Sequence, residues 1–160
     1  MISSLFGYTV GGTAQMNLTL YSSQGSGNSY KVELLLRLLR QPYQTRPVDL
    51  RRNEQLGIEF LARNRFGQVP VLVDGDIVLT DSHAIMLYLA GQYGDPVQHD
   101  WAPLDPLSLA LVMRWLSVSA NEIQNGLAIP RAVKLLNWPF DNLQLRIQLD
   151  GRSLGEQKVA

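Results

Sequence analysis

The segment GQVPVLVDGDIVL, residues 67–79, constrains the fold of this chain more than any other stretch. Val71 and Val73, then Ile77 and Leu79, flank Asp74-Gly75-Asp76. An Asp-Gly between two apolar runs signals a hairpin, because a tight hairpin turn needs the left-handed backbone that glycine supplies. The two runs therefore pair as antiparallel strands. Val69-Pro70 opens the first of them, and a proline there marks a bend or an edge, since it cannot donate to a ladder.

The segments on either side give the hairpin its context. Residues 17–22, NLTLYS, alternate Leu18, Leu20 and Ser22 with Asn17, Thr19 and Tyr21, which predicts a short strand. The turn-rich SQGSGNS follows, and Ser29 can cap the next helix. In that helix Val32, Leu35, Leu36 and Leu39 share a face, opposite Lys31, Arg37 and Arg40. Gln41-Pro42 ends it. Residues 44–49 read as a weak strand, placed at an edge by Pro47, and residues 54–62 as a short helix. After the hairpin, Asp81-Ser82 caps a helix with Ile85, Tyr88 and Leu89 on one face. The order β-α-β-α-β-β-α is that of a thioredoxin-like unit.

Beyond that unit, residues 94–106 carry Gly94, Pro96, Pro103 and Pro106 and read as a linker. Residues 107–124 form a helix with Leu109, Val112, Trp115, Leu116 and Ile123 at helical spacing. A further apolar stretch, 129–136, stops at Asn137-Trp138-Pro139. Leu143, Leu145, Ile147 and Leu149 alternate as in a strand, although Leu143 and Ile147 also fit a helix. Residues 1–15 carry neither charge nor sustained period; they read as a flexible extension, with Met16 a candidate natural start.

Composition excludes several functions. Fourteen basic and fourteen acidic side chains balance, so the long-range field of a nucleic-acid binder is missing. There is no cysteine, which rules out a disulfide scaffold, a cysteine nucleophile and a protein-borne dithiol couple. Two distant histidines, His83 and His99, do not suggest a metal site. No apolar run reaches the ~20 residues of a membrane helix. The expectation is a soluble, cytoplasmic protein with no nucleic-acid partner, no membrane partner and no metal.

Three motifs in order and spacing carry a specific resemblance: Ser26-Gly-Asn-Ser before a helix, Gly67-Gln-Val-Pro, and Asp81-Ser-x-Ala-Ile. Over residues 16–93 the chain resembles the N-terminal domain of glutathione S-transferases, most closely the bacterial type with a serine-centred glutathione site. Residues 101–138 resemble the first helices of the family's all-α second domain, and the likeness fades after Phe140. The resemblance implies an α/β thioredoxin-like N-terminal domain followed by an incomplete all-α C-terminal domain. The expected division is an extension at 1–15, a glutathione-binding domain at 16–93, a linker at 94–106 and a partial helical domain at 107–160.

The resemblance also implies roles. The enzymes it points to raise the reactivity of glutathione, their co-substrate, by stabilising its thiolate for attack on a small electrophile, a disulfide or a peroxide. Ser26 matches the family's catalytic serine, and Asn28 is the alternative donor to sulfur. Gln68 lies beside the ligand, while Val69, before a cis Pro70, offers its backbone to the cysteinyl moiety. Asp81 and Ser82 suit the γ-glutamyl ammonium and carboxylate. Ser26, Asn28, Asp81 and Ser82 are also of the types that commonly cap helices or form turns, and Pro70 also fits a plain edge strand. Asn64-Arg65-Phe66-Gly67 departs from the family's usual Asn-Pro. Arg65 is expected in solvent, His83 in a packing or surface role, Tyr21 behind Ser26 as a sulfur partner, and Trp115 and Met113 in a core. A homodimer is expected. The alternative function is a glutathione-binding or protein-interaction module without transferase activity.

Overall fold

The structure, a computed structural model, describes residues 18–95, 101–102 and 105–136. The expectations for residues 1–15, for His99 and for the alternating stretch at 143–149 lie outside these residues. The chain divides into two compact units, residues 1–89 and 90–160.

The first unit is built on a four-stranded mixed sheet in the order β2-β1-β3-β4. β1 is Leu18–Ser22, β2 Gln44–Pro47, β3 Val71–Asp74 and β4 Ile77–Thr80. β2 runs parallel to β1, whereas β1/β3 and β3/β4 are antiparallel. This is a thioredoxin-like arrangement. Gly75 takes the hairpin turn at φ 57°, the left-handed backbone that the Asp-Gly signal demanded. β2 lies at the edge and is exposed throughout, which suits Pro47: its missing N–H costs no ladder bond there.

Helix α1, Gly27–Leu38, buries Val32, Leu35 and Leu36, with Leu39 at its end, as the periodicity predicts. Each such side chain removed from water contributes about 1.5–3 kcal/mol. The chain leaves α1 through Arg40 at φ 54°, and Gln41 N–H donates to the Leu36 carbonyl at 2.9 Å, closing the last turn. The helix expected at 54–62 is broken. Glu54–Leu56 is a 3-10 turn and Ile58–Leu61 the short helix α2. Between them Gly57 is extended, at ψ 148°.

Helix α3, Ser82–Tyr93, buries Ile85 and Leu89, and its Tyr88 hydroxyl donates to Asp74 Oδ2 at 2.7 Å. Val48, Phe60, Val69 and Val71 form a buried cluster against which Tyr21 and Leu50 pack.

The described part of the second unit is helical. Asp105 caps α4, Pro106–Val118, by accepting the Ser108 N–H at 2.9 Å, with Pro106 in the first turn where no N–H is needed. These backbone bonds hold the Asp105 carboxyl below its ordinary range. The helix expected at 107–124 is α-helical only to Val118. Ser119–Ala128, with the weak helix formers Asn121, Asn125 and Gly126, winds as a π-helix before α5, Ile129–Leu136. Trp115 and Met113, expected in a core, are 63% and 44% exposed; the Arg114 guanidinium lies 5.5 Å from the Trp115 ring centre. Among the described residues no helix is long and apolar enough to cross a membrane.

Candidate active site

Strand register gathers the three sequence motifs. Tyr21 pairs with Val71, and Val71 with Thr80. The loop after β1, the turn before β3 and the residue after β4 therefore meet at one end of the sheet. The first and last of these connections lead directly into α1 and α3, so two helices also begin there.

At the start of α1 the cap is Ser26, not Ser29. Ser26 is extended, at φ −77° and ψ 114°, and its Oγ accepts the Ser29 N–H at 3.2 Å. Ser29 is the third helical residue and is buried; its own Oγ accepts the Ser23 N–H at 3.3 Å. Two serines three apart both look like caps in sequence, and backbone conformation decides between them. Gly25, at φ 85°, turns the chain just ahead of the cap. A hydroxyl has one hydrogen and two lone pairs, so Ser26 keeps its hydrogen after accepting Ser29.

Asp81 stands at the start of α3 at φ 70°, unusual for a residue with a side chain. Its Oδ1 accepts the N–H groups of His83 at 2.9 Å and Ala84 at 3.0 Å. Two of the N–H groups expected to face a carboxylate are thus already bound by Asp81. What this helix end retains for a ligand centres on buried Ser82. The Ser82 hydroxyl approaches Asn28 Oδ1 at 3.5 Å, which links the first turns of α1 and α3. A second link is stronger: Lys31 Nζ lies 2.7 Å from His83 Nε2. His83 thus has the packing role expected of it, with a partner that sequence reading did not identify.

The Val69–Pro70 peptide is cis. Val69 is buried outside the ladder, Pro70 is buried too, and Gln68 is exposed beside them. Asn64 shapes this turn: its Nδ2 donates to the Gln68 carbonyl at 2.7 Å, and its Oδ1 accepts the Phe66 N–H at 3.1 Å. Gly67, at φ 60°, passes so close to the preceding segment that a Cβ would stand 2.9 Å from Leu56 Cδ2 and 3.2 Å from the Gln55 carbonyl oxygen. Gln55 is buried in that segment and its Oε1 has no partner among the described residues. Neither Asn64 nor Gln55 was singled out from sequence. The signal for Asn64 was its place at the head of a turn, since asparagine bonds the backbone two residues on.

The Tyr21 and Phe60 rings meet edge to face, with centroids 6.3 Å apart, and the Arg63 guanidinium sits 5.0 Å from the Tyr21 ring centre. Arg65 is exposed and lies 5.1 Å from the Phe66 ring centre. Among the described residues no group of three or more Asp, Glu or His side chains is arranged to hold a metal ion.

The family described as "Glutathione S-transferase, N-terminal domain" matches residues 20–97. Glutathione S-transferase Z2 of Arabidopsis thaliana is 40% identical over 146 residues, covering 91% of this chain and 58% of the plant protein. A solved structure of a possible glutathione S-transferase from Rhodopseudomonas palustris is 36% identical with TM-score 0.67, over 75% of this chain and 56% of that one. Human glutathione transferase theta-2, in complex with glutathione, is 34% identical with TM-score 0.66, over 74% of this chain and 48% of that one. The chain spans about half the length of the curated relatives it matches. With the mixed sheet and the three motifs at its end, these likenesses identify residues 20–97 as a member of the glutathione S-transferase N-terminal domain family.

Proposed function

We propose that this chain binds glutathione at the sheet end where Ser26, Val69 and Ser82 converge, and that it is a glutathione transferase. The observation that carries the reading is the pairing of Val71 with both Tyr21 and Thr80, which brings the three motifs to one place. Human theta-2, similar over most of this chain, was solved in complex with glutathione.

The chemistry follows from the residues. A free thiol has a pKa of about 8.5, so most of it is protonated near neutrality. Ser26 Oγ, held by the Ser29 N–H, directs its hydrogen to the glutathione sulfur. The positive end of the α1 dipole favours the thiolate further. The thiol proton passes to solvent, the sulfur lone pair forms the new bond to the electrophile, and the leaving group departs with its electron pair. A disulfide or a peroxide is the alternative acceptor. Asn28 is the alternative to Ser26 as the donor to sulfur.

Substrate holding is divided between the other motifs. The Val69 backbone pairs with the cysteinyl moiety as an added strand, next to Gln68 and Pro70. The Ser82 hydroxyl takes the γ-glutamyl carboxylate. Asp81 uses Oδ1 for its helix, and its second oxygen suits the ammonium. The serine-centred type fits this set. A homodimer joined through α4 fits the exposure of Leu109 and Met113, one turn apart on that helix.

Retention on immobilised glutathione, followed by turnover with a chromogenic electrophile, tests the reading. Retention with turnover is the expected result. Retention without turnover would leave a binding module, and loss of both would reject the site.

A further inference from the structure

Lys31 and His83 are 52 positions apart in the chain, yet Nζ and Nε2 meet at 2.7 Å. Both side chains are half-buried. With Lys31 charged, its ammonium has only donors, which assigns Nε2 as the acceptor of a neutral ring. The charged groups acting on His83 are Lys31 from α1 and Asp81 from the turn before α3. Burial, then the Lys31 charge, lowers the His83 pKa below its usual value, while Asp81 opposes both. Burial lowers Lys31 as well, again opposed by Asp81.

The contact also has a position. Lys31 lies about one turn beyond Asn28, and His83 is one residue past Ser82. The pair therefore ties together the two helix ends that the proposed site needs at a fixed spacing. The Ser82–Asn28 approach, at 3.5 Å, is too long to do so alone.

We propose that Lys31 and His83 form a positioning brace for the glutathione site, which holds the α1 end against the α3 end and opens when His83 takes up a proton. The proposal rests on the glutathione reading above. A protonated ring has no lone pair for Lys31, and two cations then stand in contact. Affinity for the ligand is lost as pH falls below about 6.5, the ordinary histidine value, through the lower value of His83 in the fold.

The test is calorimetric titration of the full chain with S-methylglutathione, whose blocked sulfur does not titrate, between about pH 5 and 7, where histidine is the side chain that changes charge. The parent should lose about fivefold in affinity or more toward the acid end, the low side of typical coupling between sites. His83→Leu should bind about fivefold more weakly at neutral pH, with a flat profile. His83→Gln is the decisive variant: its amide oxygen accepts Lys31 but does not titrate, so it should keep parental affinity and lose the pH dependence. A flat parental profile, a pH dependence that survives in His83→Gln, or parental affinity in a folded His83→Leu would overturn the brace. No binding by the parent at any pH would instead reject the glutathione reading. If His83→Leu does not fold by circular dichroism, the His83→Gln profile decides.

Discussion

The Ser82 hydroxyl approaches Asn28 Oδ1 at 3.5 Å, so two residues proposed for different ends of glutathione touch each other across two helices. This gives Asn28 a role through Ser82 that differs from Ser26's. Asn28→Ala should weaken glutathione binding severalfold and leave the rate from the bound state within about threefold, because it removes uniform binding. Steady-state kinetics separate the two: KM rises and kcat holds. A collapse of kcat would make Asn28 the sulfur donor.

Asn64 is buried and makes two bonds across the turn that delivers Val69. Asn64→Ala removes both and leaves the Gln68 carbonyl and Phe66 N–H without that partner. The expected cost is about 1–3 kcal/mol. Denaturant melts should show that loss, and glutathione affinity should fall with it. An affinity unchanged in a folded Asn64→Ala protein would show that the turn keeps its shape by other means.

Tyr88 bonds Asp74 from α3 to the end of β3. Burial first, then the Asp74 hydrogen bond and charge, raises its phenol to about 12. Since the folded value lies above the unfolded value of about 10, this contribution is complete below pH 10 and is lost as pH rises toward 12. Tyr88→Phe should lower stability at neutral pH by about 0.5–1.5 kcal/mol. It should also remove the Tyr88 part of the alkaline loss, which thermal melts across that range would reveal.

Local signals carried most of the first domain. Asp74-Gly75-Asp76 specified the hairpin because its chemistry lies within the turn itself. The α1 face was legible because Val32, Leu35, Leu36 and Leu39 repeat at helical spacing. Where two local signals competed, sequence could not rank them. Ser26 and Ser29 both looked like caps, and only the extended backbone of Ser26 settles the choice. Gly57, a poor helix former, interrupts the helix expected at 54–62 at an extended backbone. Features made by tertiary contact left no local trace. The Lys31–His83 bond joins residues 52 positions apart. The motifs at Ser26, Val69 and Ser82 were each visible, but their meeting depends on the β1-β3-β4 register.

In the proposed reaction Ser26 lowers the pKa of the glutathione thiol. The most direct measurement is a pH titration of thiolate ultraviolet absorbance for glutathione bound to the parent and to Ser26→Ala. The parent should titrate at least about one unit below the free thiol's value of about 8.5, and Ser26→Ala should return toward that value. Turnover in the variant should fall more than about tenfold while binding changes less. A bound thiol that titrates like the free one, or a lowered value that survives Ser26→Ala, would contradict the account.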